Sequence, residues 1–146
     1  MPTASRSRVI AAPLAELWEL IGDPHHLPRW WPRVERIEDV EGDAFTEVMK
    51  TAKGKLVRAD FRVLSSDASA HAVTWEQQLE DTPFARLLSE ARTHVALVPV
   101  ERGTQVTIEL DQRLSGFFPR FGAFMVRRAA LATVDEALDG LERISA

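Results

Sequence analysis

An arginine stands where a run of apolar residues predicts a buried helix face. Near the end of the chain Phe124, Leu131, Val134, Leu138 and Leu141 recur at three- and four-residue steps, and Arg127 falls among them. A guanidinium taken out of water without a partner is strongly destabilising. Two arrangements avoid that. Its aliphatic stem can lie along the core while its head reaches water or a structural partner. Alternatively the head faces an internal space, where its planar fork suits an anionic or carbonyl group. Arg128 sits about 100° further round the helix and is expected in solvent.

Three polar residues have a similar choice. Gln77 shares an alternating apolar face with Val73, Trp75 and Leu79, and Gln112 shares one with Val106, Ile108, Leu110 and Leu114. Thr93 lies on a further strand-like stretch. If they point inward, they either bond each other or an ordered water. Otherwise they are the few convergent polar groups of an apolar pocket. Phe61, alternating with Val57 and Val63, belongs to the same apolar layer. Glu47, between Phe45 and Met49, is expected outward as a surface charge. Turned inward, it would pair with Arg127 or serve as an acid or base of raised pKa.

Other chemistries find little support. His25 and His26 are neighbours whose side chains diverge by about 100° on a helical turn. His71 and His94 stand alone, and there is no HExxH pattern, so neither a metal nor a cofactor is expected. Ser65, Ser66, Ser89 and Ser115 lack a nucleophile-elbow context. Gly54 and Gly103 are single turn glycines, not a phosphate loop. The chain has no cysteine, which excludes disulfides and thiol chemistry and fits a cytoplasmic location.

The elements that must position these residues follow from periodicity. A first strand is expected over 3–11. Ala12-Pro13 then opens a helix in which Leu14, Leu17, Trp18 and Ile21 form one face, with Gly22 as its stop. Asp23-Pro24 caps a second, shorter helical segment that Pro28 and Pro32 confine and that carries Trp30 and Trp31. With Trp18 and Trp75 these indoles are expected to be core, and one of the adjacent pair to reach a cavity mouth. Strands are expected at 34–41, 44–51, 55–65, 71–80, 90–100 and 103–114, with short connections that favour antiparallel pairing. The final helix runs from about Pro119 to Ile144, roughly 38 Å. Only that helix is large enough to cover the apolar face of so many consecutive strands.

The 146 residues, 1–146, are read as one domain. Hydrophobic residues make up 45% and charged residues 27%, values ordinary for a globular protein. The net charge of -4 argues against nucleic acid as a partner, since such binding needs a basic surface. Lys50, Lys53, Lys55 and Arg58 cluster around Gly54 as a solvated hairpin. No apolar run approaches the roughly 20 residues of a membrane span, and Met1 to Arg8 lack the apolar centre of a secretory signal.

Four stretches together resemble a known family. They are VIAAPLAELWELIGDPHHLPRWWPRV (9–34), VTWEQQLEDTPFARLL (73–88), GTQVTIELDQRLSG (103–116) and FMVRRAALATVDEALDGLE (124–142). The chain is similar to the polyketide cyclase/dehydrase and START-type lipid-transfer superfamily, SRPBCC, which has the helix-grip fold of the birch-pollen allergen. The resemblance implies an α+β domain: a curved antiparallel sheet of about seven strands around a long C-terminal helix, with two short helices between strands 1 and 2. It also implies a cavity for lipids, polyketides or other hydrophobic molecules. Relatives that close aromatic rings tend to place tyrosine and arginine in that cavity. This chain has no tyrosine, so a phenolic acid is unavailable.

The reading adopted is binding, with transport as its extension, of a small hydrophobic molecule between sheet and helix. Arg127, Gln77, Thr93, Gln112, Trp75, Phe61, Trp30, Phe124 and Leu131 are the expected contacts. One alternative is a cyclase or dehydratase in the same cavity, Arg127 polarising a carbonyl and Glu47 or water moving protons. Another is a protein-interaction module, for instance a homodimer, with a collapsed cavity. On the first reading Arg127→Ala abolishes binding of a carboxylate-bearing ligand without unfolding the chain; unchanged affinity in a titration rejects that role.

Overall fold

The structure, a computed structural model, describes residues 3–115 and 120–145. Strand β1 (Thr3–Ile10) leads into helix α1 (Leu14–Ile21), a 3-10 turn (Pro24–His26) and the one-turn helix α2 (Leu27–Trp30). Six strands follow: β2 (Val34–Glu41), β3 (Ala44–Lys50), β4 (Leu56–Asp67), β5 (Ala72–Gln77), β6 (Leu88–Val100) and β7 (Gly103–Leu114). Helix α3 (Arg120–Ser145) ends the chain, and its first residues and the expected Pro119 start lie at or beyond the edge of the described region.

Local chemistry sets the boundaries. Pro13, with extended backbone, precedes α1 as its N-cap rather than occupying the first helical position. The Gly22 N–H closes the helix on the Trp18 carbonyl at 2.8 Å. Asp23 Oδ1 accepts from the His25 N–H at 3.0 Å and so caps the next turn. Two expected strand limits shift. β5 stops at Gln77, and a 3-10 turn at Pro83–Arg86 intervenes before β6 begins at Leu88. Pro83, near the start of that turn, has no N–H to lend to a sheet ladder.

The strand order is β1-β7-β6-β5-β4-β3-β2, every pair antiparallel. Strands β2 to β7 form the expected meander. β1 closes the far edge, running from Thr3 opposite Asp111 to Ile10 opposite Thr104. The helices between β1 and β2 therefore carry the chain from one edge of the sheet to the other.

Side chains alternate across the sheet, and one face meets α3. Ala130, Val134, Ala137, Leu138 and Leu141 of α3 are buried against Ile10, Val95, Val106 and Ile108 of the sheet layer and Leu27 and Trp30 of α2. Each fully buried branched or aromatic side chain here is worth about 1.5–3 kcal/mol of transfer free energy. Charged groups hold α3 along β1. Arg8 reaches Asp139 and Glu142, each at 2.6 Å, and Arg6 lies 3.6 Å from Asp135.

Gly140 allows the closest approach. A Cβ added there would lie 2.3 Å from the Trp30 carbonyl oxygen, a backbone atom that cannot swing aside. Glycine to alanine inside a helix ordinarily gains about 1 kcal/mol. Here the clash reverses the sign: Gly140→Ala is expected to lose about 1–3 kcal/mol, as overpacking does. A urea midpoint that rises instead shows the helix is not seated on α2 in this way.

Candidate functional site

Helix α3 does two different jobs along its length. Its C-terminal half fills the core, whereas the flank carrying Val126, Ala129, Ala130 and Thr133 presents short side chains to the sheet. The sheet curves away faster than these residues can fill. What remains is a cavity of about 380 Å³ between them, within the range of small-molecule sites.

The sheet contributes the rest of the wall. Alternation places Phe61 of β4, Trp75 and Gln77 of β5, Thr93 of β6 and Gln112 of β7 on this side, and all five line the cavity. Cross-strand register explains their grouping. Phe61 stands opposite Gln77, and Trp75 opposite Thr93, which in turn faces Leu110. Phe45 stacks on Phe61 with ring centroids 5.4 Å apart, stiffening that side. The Gln77 amide nitrogen is buried and has no hydrogen-bond partner among the described residues.

The other expected contacts lie elsewhere. Arg127 is exposed, and its Nε donates to the Thr3 carbonyl at 3.2 Å, at the start of β1. Its angular position on α3 does match the buried stripe. At that level, however, the helix passes over the open end of β1, and the side chain drops onto a strand terminus instead of into the core. The loss of carboxylate binding expected for Arg127→Ala therefore does not follow. Phe124, 58% exposed, is on the same overhanging turn. Leu131 packs against the core on the flank away from the cavity. Trp30 is buried in the core beneath Gly140, and its neighbour Trp31 is the indole that lines the cavity. The two rings meet edge to face at 5.4 Å, and Trp31 meets Trp75 in the same manner at 5.9 Å.

Glu47 corrects an expectation in the opposite direction. It is 2% exposed, and its side chain is part of the cavity wall together with Met49. No ion pair or side-chain hydrogen bond involves it among the described residues. Burial alone pushes its carboxyl up to about 8 from an ordinary 4.5. The sequence signal was masked because Phe45, Thr46, Glu47 and Val48 are all buried, so β3 shows no wet-dry alternation. Thr46, on the opposite face, is covered by its hydrogen bond to Asp60 at 2.6 Å.

The only other ionisable group in the wall among the described residues is Arg92, and its Nε is engaged by Glu76 at 2.7 Å and Glu90 at 2.8 Å. Among the described residues no three His, Cys, Asp or Glu side chains converge as a metal site. No described helix is long and apolar enough to cross a membrane. Among the described residues the site is an apolar, aromatic-lined chamber with one unpaired acid, two amides and two hydroxyls.

Known proteins share this architecture. A START superfamily protein from Mycobacterium smegmatis superposes with a TM-score of 0.76 at 16% identity, over 98% of this chain and 96% of that one. A protein from Thermobifida fusca gives 0.76 at 22% identity, over 97% and 91%. The di-domain ARO/CYC BexL of the BE-7585A biosynthetic pathway gives 0.82 at 23% identity, over 98% of this chain and 46% of that longer one. At such identities the likeness is one of fold. No curated protein matches the chain. The family described as polyketide cyclase/dehydrase and lipid transport matches residues 1–145, the helices, the curved sheet and the cavity between them included. On that match the chain belongs to the polyketide cyclase/dehydrase and lipid-transport family.

Proposed function

We propose that the protein binds a small hydrophobic molecule in the chamber between β3–β7 and α3. The observation that carries this is the chamber itself: about 380 Å³ walled by Trp31, Phe61, Trp75 and Phe84, with Glu47, Gln77, Thr93 and Gln112 as isolated polar points. Such a space costs packing energy in the empty protein, because its lining loses dispersion contacts that a ligand restores. Its open volume counts against an interaction module with a collapsed cavity. The lack of cysteine supports work in the reducing cytoplasm.

Native mass spectrometry of the purified protein tests the reading through a bound lipid-like mass. Thr133→Trp, which thrusts an indole from α3 into the chamber, is expected to remove that mass and weaken binding of an apolar dye at least tenfold. Circular dichroism should stay unchanged. Undiminished binding in a folded Thr133→Trp protein would place the ligand elsewhere.

A second reading rests on Glu47. A desolvated carboxyl that titrates near neutrality can give or take a proton next to an apolar substrate, the property a cyclase or dehydratase needs. Arg127 has no part in it, since its head lies outside the chamber. Turnover of a polyketide mimic, lost in Glu47→Gln while binding persists, would support this second reading.

The buried acid also leaves a thermodynamic mark. Between about 4.5 and about 8 the unfolded chain has released a proton that the folded protein keeps. Stability contributed by the neutral carboxyl is thus full below that window and is lost as pH rises through it. Glu47→Gln, of equal size and uncharged, is expected to flatten this decline and to be a few kcal/mol more stable than the parent at pH 8. Parallel pH profiles of the melting temperature for the two proteins would contradict the buried, unpaired state.

A further inference from the structure

We infer that the chamber selects apolar amines: molecules with an aromatic or aliphatic body and one protonated nitrogen, which Glu47 receives as a carboxylate. The inference rests on the binding reading above and adds the charge class of the ligand.

The groups that could face Glu47 are few. Its strand neighbours are Ile37 on β2 and Ala59 on β4, neither ionisable. Across the chamber α3 offers Val126, Ala129, Ala130 and Thr133, and the segment after α2 offers Trp31. From β6, Arg92 reaches the wall, but Glu76 and Glu90 already hold its guanidinium. Asp60 of β4 is tied to Thr46 on the other face of the sheet. Among the described residues Glu47 is therefore the one formal charge the chamber can offer a guest, and it is negative. An anionic guest would find no free cation among the described residues to offset its own desolvation.

A cationic guest meets the opposite situation. Folding has already stripped water from the carboxyl, so much of the desolvation that weakens buried ion pairs is complete before the ligand arrives. The amine supplies the missing opposite charge, which favours the ionised carboxylate. Trp31, Trp75 and Phe61 surround the same space with ring faces and edges, and aromatic faces attract cations. Gln77 and Gln112 add amide oxygens that can accept the remaining ammonium hydrogens. Since burial raises the empty site's carboxyl to about 8, binding of an ammonium at pH 7 should expel a proton. No ion crosses that balance uncounted: Glu47 gives its proton to buffer, and the ligand keeps its own.

Calorimetric titration of the full chain with three probes of one shape tests this. They are 1-naphthylmethylamine, 1-naphthylmethanol and 1-naphthoate. At pH 7 the amine is expected to bind at least tenfold more tightly than the alcohol, and the naphthoate at least tenfold more weakly than the alcohol. Repeating the amine titration in buffers of different ionisation enthalpy should show release of a substantial fraction of one proton. Glu47→Gln should bring the amine level with the alcohol and abolish proton release. Equal or tighter binding of the alcohol, or of the naphthoate, by the parent protein overturns the amine preference while leaving the binding reading intact. If none of the three binds, both readings fall. An amine preference that survives Glu47→Gln would also sink the inference, because the selectivity would then arise elsewhere.

Discussion

The fit of α3 against the sheet is the constraint on which the rest of the structure depends. A strongly curved sheet and a straight helix can match along only part of their length. In this protein the match is made at the C-terminal half, where Val134, Ala137, Leu138 and Leu141 are fully enclosed and Gly140 brings the helix onto the Trp30 carbonyl. Arg6 and Arg8 then fix the helix along one edge of the sheet through Asp135, Asp139 and Glu142. These pairs are partly exposed and individually worth little. Their effect is directional: they lean the helix toward β1, and the chamber opens on its other flank.

That division lets one helix serve stability and binding without conflict. Along α3 the core side chains and the chamber side chains lie on adjoining flanks of the helix, with Ala130 common to both and Thr133 next to Val134. Glu47 is the exception to the separation. It sits in a strand buried on both faces, where a leucine would be more stabilising, and burial of its carboxyl holds its proton on to about 8. Local departures of this kind from the rules of stable packing are expected at functional positions.

Much of the fold could be read from the chain because its signals are local. Ala12-Pro13, Gly22, Asp23-Pro24 and Gly103 punctuate the chain within a residue or two of the observed boundaries, and alternation along β4, β5 and β7 gave the inward faces of Phe61, Trp75, Gln77 and Gln112. The edge on which β1 docks was not legible, since pairing across a hundred residues leaves no periodic trace. Arg127 and Glu47 failed for reciprocal reasons. Periodicity fixes an angle around a helix but not where its support ends, so a residue on the right stripe can overhang β1. In β3 the convex face is roofed by long side chains: Arg36 and Arg58 meet over Glu38. Both faces are then buried, and alternation carries no information about which one Glu47 occupies.

The same roof explains why an acid can be tolerated on the inner side. Strand β3 is flanked by two others and its inner face lines the chamber, so Glu47, 2% exposed, cannot extend its head into bulk water as a lysine or arginine stem would allow. Its charge must be suppressed by protonation, or balanced from within the chamber. Among the described residues no side chain of the protein is available for that balance. The chemical character of the site is thereby set less by what lines it than by what its lining leaves unanswered.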